Sequence, residues 1–408
     1  MKICVVTYHE LGEPRGPRHA IAAKRAFPDA EVIFIHYRSG AAPDPVPPAS
    51  LRDAGIETRA LTFPTRASDP LALARRRIAI KIDRALFQAT GHVREGVFSE
   101  RTRGLTRTLI EAKADIYFAH NFEALMPAAR ACEHWNAVLV FDCMEFYSDM
   151  GDGQRGDVAR AIQSIEARWL PDCSLVVAAS DELAEAYAHA YRIQKPLAAY
   201  NVPAVFEQLP PKQGGGLNLY WRNNVLGFGQ RGLEDILAAL ARLPEDVRLF
   251  LQGNLGHDGG QALRQRIAGL GLASRVTILP PHAAGDAVPS AAAYDIGLCL
   301  ERKGPRNHDL TVSNKMFDYH MAGLAVVASG LPGLATVIRR SRGGVVYTPG
   351  DAVALAAAIA DLRSNPVRLA ELQRNARAFA LAEGNLEVET TRIVAALKAV
   401  AGNRTVHS

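Results

Sequence analysis

The sequence predicts an α/β chain made of two doubly wound parallel sheets, each covered by helices. Three observations carry this reading. Short runs rich in Val and Ile alternate with longer Ala/Leu/Arg segments of helical spacing, the alternation starts afresh after Gly216, and a Pro/Gly-rich stretch separates the two series. A chain of 408 residues suits two domains, and 48% hydrophobic beside 22% charged residues excludes a disordered chain.

In the first half the expected strands are Lys2–Thr7, Ala30–His36, Ile56–Leu61, Ile116–His120, Ala137–Asp142, Leu175–Ala179 and Leu197–Tyr200. The second half restarts with Leu217–Trp221, Val247–Gln252, Val276–Leu279, Ile296–Leu300, Ala325–Ser329 and Gly344–Tyr347, with helices such as Leu233–Arg242 and Gln261–Leu270 between them. Between the halves lie Pro203, Pro210, Pro211, Gly214, Gly215 and Gly216, so the expected domains are 1–202 and 217–382, with a linker at 203–216. Three helical segments, Asp351–Leu362, Pro366–Ala382 and Leu386–Val400, close the chain, and the last, within 383–408, is expected to return to the first domain.

Cys4, Cys132, Cys143, Cys173 and Cys299 form no C-x-x-C pair and are odd in number, which argues against a disulfide framework or a zinc knuckle and for a reducing, cytoplasmic compartment. The apolar run Ile3 to Val6 is too short for a signal peptide and reads as a first strand. The longest stretch free of charged residues, Tyr319 to Ile338, is interrupted by Gly323, Gly330, Pro332 and Gly333, and so reads as helix end, buried strand and loop rather than a membrane span.

The net charge of +5 is concentrated: between Arg66 and Arg107 ten basic residues face four acidic ones, Asp69, Asp83, Glu95 and Glu100. Leu71, Leu73, Ile78, Ile80, Ile82, Leu86 and Phe87 are interleaved with the bases, which suits a helix with one apolar and one cationic side. Such a face can meet an anionic membrane surface; the alternative is a solvated face packed on its domain. No aromatic stacking series accompanies the bases, so nucleic acid is not expected.

Two clusters point to chemistry. Gly227-Phe-Gly-Gln-Arg-Gly232 follows an expected strand and opens an expected helix, the context of a phosphate-binding turn. The next strand ends Leu251-Gln-Gly-Asn254 without a carboxylate for a ribose, which argues against a nicotinamide cofactor, and none is expected. Arg231 can clamp a diphosphate or be a surface residue of a tight turn. In the second cluster Lys315 and Asp318, three apart on a short helix, share a face. They can present a cation to a phosphate and a carboxylate to a ribose, or form a surface salt bridge. His120, at a strand end, is open to a structural role, as are Asp142 and Glu145 as strand-end or helix caps.

The string Asn314-Lys-Met-Phe-Asp-Tyr-His-Met-Ala-Gly-Leu-Ala-Val-Val-Ala-Ser329, followed by Leu331-Pro-Gly333, resembles the donor domain of retaining GT-B glycosyltransferases of the family 4 type. Arg231-Gly-Leu-Glu-Asp235 and Gly344-Val-Val-Tyr-Thr-Pro-Gly-Asp351 are similar to two further segments of that family, and Ala119-His-Asn-Phe-Glu123 and Phe141-Asp-Cys-Met-Glu-Phe146 to elements of its first domain. The resemblance implies a GT-B fold of two Rossmann-like domains facing a cleft. It implies transfer of a sugar from a nucleotide-diphosphate donor to a glycan or lipid-linked acceptor in cell-surface polysaccharide synthesis, with retention and without an obligatory metal. It implies that His120, Arg231 and Lys315 serve catalysis. Gly229, Arg231, Lys315, Asp318 and the backbone of Gly330, Leu331, Pro332 and Gly333 would hold the donor, and Asp142 and Glu145 would lie on the acceptor side.

The chain departs from that pattern in three places. Eight positions before Asp318, where the family carries an acid, stands Leu310, with Glu301 and Asp309 as candidate substitutes; Met144 stands where a histidine is usual; and Gly12-Glu-Pro-Arg-Gly-Pro-Arg18 lacks consecutive glycines. The alternatives are a noncatalytic module binding a nucleotide or a partner protein, and a sugar-nucleotide epimerase.

Overall fold

The structure is a computed structural model that describes residues 1–405 except 12, 40–45, 100, 152–153, 230 and 284. Gly12, Glu100 and Gln230, which belong to the first Gly-rich loop, the basic segment and the G-x-G-x-x-G turn, lie outside the described residues. The chain forms two compact units, one of Met1–Ala199 with the chain from Thr390 onward, the other of Tyr200–Glu389.

The first unit holds seven strands, β1 (Lys2–Glu10), β2 (Glu31–Ser39), β3 (Glu57–Phe63), β4 (Ile116–His120), β5 (Val138–Cys143), β6 (Leu175–Ala178) and β7 (Leu197–Ala198). They pair in parallel in the order β3-β2-β1-β4-β5-β6-β7. The second unit holds β8 (Leu217–Leu226), β9 (Val247–Leu255), β10 (Val276–Leu279), β11 (Ile296–Cys299), β12 (Ala325–Ser329) and β13 (Gly344–Tyr347), parallel in the order β10-β9-β8-β11-β12-β13. In each sheet the order reverses beside the unit's first strand, between β1 and β4 and between β8 and β11. Connections on either side of such a point leave on opposite faces, which opens a crevice at the strands' C-terminal ends.

Helices on both faces explain why the central strands are apolar throughout. Every residue of β4 and β5 is buried, as a doubly covered parallel strand requires. In the second unit Leu219 and Trp221 of β8 pack with Leu249, Leu251, Ile296 and Leu298 on one face, while Tyr220 faces Met316, Phe317 and Tyr319 on the other. The first unit's core also contains Ile393 and Leu397 of the closing helix Leu386–Thr405.

The uncharged stretch resolves into the end of the helix Asn314–Met321, β12 and the start of the helix Pro332–Ser341. No helix among the described residues is long and apolar enough to cross a membrane. All five cysteines are free. The basic segment corrects an expectation. Its helix, Pro70–Thr90, has apolar residues on two sides, because Leu73, Ile80 and Phe87 are buried whereas Leu71, Ile78 and Ile82 are exposed.

Candidate functional site

In the second unit the topology brings the two motif clusters to the β8/β11 reversal. The helix Asn314–Met321 buries Met316, Phe317 and Tyr319 and turns Lys315 and Asp318 toward the tip of β8. Its approach depends on Gly297 of β11, where a Cβ would fall 2.4 Å from the Tyr319 ring. The Tyr319 hydroxyl accepts a hydrogen bond from the Arg222 amide at 3.3 Å.

Lys315 and Asp318 are not paired with each other; each engages one of two consecutive β8 residues. Lys315 Nζ donates to Asn223 Oδ1 at 3.0 Å, and Arg222 Nη2 donates to Asp318 Oδ2. Arg222 Nη1 lies 2.8 Å from His282 Nε2, whose Nδ1 is 2.8 Å from the Ala283 carbonyl. With Nδ1–H donating to that carbonyl, Nε2 is left to accept from the guanidinium. Burial, reinforced by the nearby Arg231, pulls the Lys315 ammonium down to about 8, with Glu301 opposing.

The Arg231–Asp235 segment is cross-linked to the tip of β11 by three ion pairs, the longest being Arg302 Nη2 to Glu234 Oε2 at 3.9 Å. Arg231 Nη1 donates to Glu301 Oε1, and Arg302 Nη2 to Asp235 Oδ1 at 2.9 Å. The turn between them needs Gly232, with φ at +71° and a Cβ position 2.9 Å from Leu300 Cβ, before the helix Leu233–Leu240 begins. The Glu301 amide donates to Ser329 Oγ (2.9 Å), which donates to the Tyr347 hydroxyl (3.2 Å), so the Glu301 backbone is held by β12 and β13. Glu301 Oε2 is buried without a hydrogen-bond partner. Of the two candidate substitute acids, Glu301 is therefore the one paired with Arg231. Asp309 sits on the helix Arg306–Leu310 with a buried, unbonded Oδ1.

The expected backbone phosphate contacts need correcting. The Gly330 amide donates to Tyr347 O and the Leu331 amide to Ser329 O, both at 2.8 Å, and Pro332 has no N–H. Gly333, in the first turn of the helix Pro332–Ser341, is the one of the four whose amide lies among the free donors of a helix start. The Gly229 amide is likewise engaged, donating to Glu234 Oε1 at 2.8 Å.

In the first unit the β1/β4 reversal holds a buried cluster around Asp142. His120 and Asp142 are register partners on β4 and β5, and the helix Arg15–Ala26 presents Arg15 and His19, four residues apart and so on one face. Arg15 grips Asp142 bidentately, Nε to Oδ2 at 2.8 Å and Nη2 to Oδ1 at 2.7 Å, and its Nη1 donates to Ala199 O at 2.8 Å. His120 Nδ1 is 3.0 Å and His19 Nδ1 3.9 Å from Asp142 Oδ2. The His19 ring stacks on Phe118 with centroids 4.9 Å apart. Burial alone would raise the Asp142 carboxyl; Arg15, with His19 and His120, holds it far below the usual carboxylate range. His19 is driven well below its ordinary value by burial, against the pull of Asp142.

His120 and Asp142 are both 0% exposed. Three ligand atoms of His19, His120 and Asp142 lie within 4.8 Å of one another. The donor set does not suit a cation, because both Asp142 oxygens already bind a guanidinium that would repel one. Beside the network Asn121 adopts φ +68°, a strained setting for a non-glycine residue, and its Nδ2 donates to the Tyr147 hydroxyl at 3.2 Å. Burial pushes Glu123 up to about 8. Glu145 uses its carbonyl to accept from Tyr187 at 3.1 Å.

Arg222, Asn223 and His282 in the second unit, and Arg15 and His19 in the first, escape the sequence reading. The G-E-P-R-G segment that holds Arg15 is the one local signal, an arginine beside a Gly/Pro turn at the start of a helix.

Residues 224–365 match the family model described as Glycosyl transferases group 1. No curated protein sequence matches the chain. Among solved structures it is similar to Anabaena Alr3699/HepE in complex with UDP-glucose, at 19% identity and TM-score 0.68 over 98% of this chain and 100% of that one. It is similar to a glycosyltransferase from Rickettsia africae at 14% identity and TM-score 0.69, covering 98% and 99% of the two chains. Sucrose-phosphate synthase from Thermosynechococcus elongatus matches at 15% identity and TM-score 0.67 over the whole of both. At these identities the likeness defines the fold: two Rossmann-like α/β units of the GT-B type.

Proposed function

We propose that this chain is a glycosyltransferase that moves a sugar from a nucleotide-diphosphate sugar to a glycan or lipid-linked acceptor, with retention of anomeric configuration, in the synthesis of a cell-surface polysaccharide. The observation that carries the proposal is the convergence of Arg231, Lys315 and Asp318 at the β8/β11 reversal, inside the segment that matches the glycosyltransferase family model. The UDP-glucose in the Anabaena structure supports a nucleotide-sugar donor.

Negative charge builds on the diphosphate as the sugar leaves, so cations held in place beforehand lower the barrier. Lys315, fixed by Asn223, supplies one; Arg231 supplies the other by exchanging Glu301 for a phosphate oxygen. The Gly333 amide adds a neutral donor. Asp318, its carboxylate oriented by Arg222, is the acceptor placed for ribose hydroxyls. Glu301 Oε2 is the acid placed to accept a hydroxyl of the donor sugar in place of the residue missing at Leu310. The reading requires no metal, since the two side chains meet the leaving-group charge.

The buried state of His120 favours the noncatalytic alternative for the first unit, and the test separates the two. UDP, GDP, ADP and their sugars are titrated calorimetrically and by thermal shift, because a ligand of the folded state raises its stability by mass action. One nucleoside diphosphate is expected to bind, and Arg231→Ala and Lys315→Ala to weaken it about a hundredfold each. Absence of binding to folded protein would refute the proposal, and binding without turnover of any donor and acceptor pair would leave the noncatalytic module.

A further inference from the structure

The helix Pro70–Thr90 is well specified at both ends: Asp69 accepts from the Ala72 amide at 2.8 Å, Pro70 occupies the first turn, and Gly91 closes it at φ +70°. Leu73, Ile80 and Phe87 bury one stripe. On the opposite side Leu71, Ile78 and Ile82 are 72%, 59% and 53% exposed, with exposed Ala74 and Ala85 between and beyond them. At 100° per residue these five fall on one face, a ridge about 16 Å long from Leu71 to Ile82. The other large exposed apolar side chains of the described residues are scattered among other elements. Arg75 borders the ridge on one flank and Lys81 and Arg77 on the other; all three are exposed and have no acidic partner among the described residues.

We infer that this ridge is a docking surface for an anionic lipid bilayer, with Leu71, Ile78 and Ile82 entering the acyl boundary and Arg75, Arg77 and Lys81 meeting headgroup phosphates. The charge pattern selects this occupant. Unpaired cations flanking aliphatic side chains match a surface that is negative outside and apolar just beneath, and they would repel the same face of a second copy. The inference does not depend on sugar transfer, since nucleotide binding and vesicle binding can be lost separately.

The full chain is sedimented with phosphatidylcholine vesicles, with and without phosphatidylglycerol. It is expected to pellet with the anionic vesicles and not the neutral ones, and to be released by high salt. The triple variant Leu71→Gln, Ile78→Gln, Ile82→Gln and the triple variant Arg75→Gln, Arg77→Gln, Lys81→Gln are each expected to bind about tenfold more weakly or worse. Both alter exposed positions, so each should keep the native melting temperature and the nucleoside diphosphate response. Undiminished pelleting of both variants, or a native chain that stays in the supernatant with anionic vesicles, overturns the inference. So does a native dimer that the aliphatic variant turns into a monomer, which would assign the ridge to self-association.

Discussion

The two sheets reverse strand order in the same way, yet the charged residues gathered at the two reversal points are arranged oppositely. At β1/β4, Arg15, His19, His120 and Asp142 are all buried; Arg15 matches the Asp142 charge, and His120 Nε2 has no hydrogen-bond partner. At β8/β11, Arg231 is half-exposed, Lys315 is held by a neutral amide, and Glu301 has a carboxylate oxygen with no partner. One topology thus supports two uses of its crevice. A buried guanidinium–carboxylate pair fixes the strand ends, whereas the half-exposed Arg231 stays within reach of an incoming anion.

The comparison is broken most forcefully at Arg15. Arg15→Leu leaves the Asp142 carboxylate buried without its main counterion and is expected to cost about 3–5 kcal/mol in urea unfolding at neutral pH. A loss below about 1 kcal/mol would show that the network does not hold the first unit together. The folded Asp142 carboxyl is held below its unfolded value, so its contribution is complete above pH ~4 and fades as the pH falls further. The variant should lose that acid dependence.

Lys315 sharpens the contrast with the opposite sign. Its folded value is lowered to about 8, so the unfolded chain binds more protons and stability rises with pH between about 8 and the ordinary lysine value. Lys315→Met is expected to remove that slope and to raise stability at pH 7 by on the order of 1–3 kcal/mol while abolishing the response to nucleoside diphosphate. A destabilised variant would place Lys315 among structural residues. The smallest effect belongs to Glu301→Gln, expected to leave nucleoside diphosphate affinity within about threefold while reducing discrimination among donor sugars by about 1–2 kcal/mol in kcat/KM. Unchanged sugar preference would remove Glu301 from the donor site.

The central strands were legible because a doubly covered parallel strand is apolar along its whole length: Ile116–His120 and Ala325–Ser329, buried throughout, agree to the residue, as do the partly exposed edge strands Val276–Leu279 and Gly344–Tyr347. The reading fell short where a strand emerges from its cover. β1 continues through Tyr8-His9-Glu10, and β8 runs past Trp221 through Arg222-Asn223-Asn224, across a register shift between Arg222 and Val225, where polar side chains erase the apolar signal. The same cause hid half of the site. Lys315 and Asp318 were visible from their helical spacing, but Arg222 reaches Asp318 across 96 positions and Arg15 reaches Asp142 across 127, pairings that leave no local pattern. The second face of the Pro70–Thr90 helix was obscured because buried and exposed aliphatics alternate in one run, and only packing tells them apart.

The first unit is discontinuous in sequence, taking Ile393 and Leu397 from a helix that begins in the second unit. During synthesis the whole of the second unit must leave the ribosome before the first can fill that part of its core. A nascent chain halted near Ala199 therefore exposes the apolar surface these two residues cover, and is the stage at which chaperone capture should be greatest.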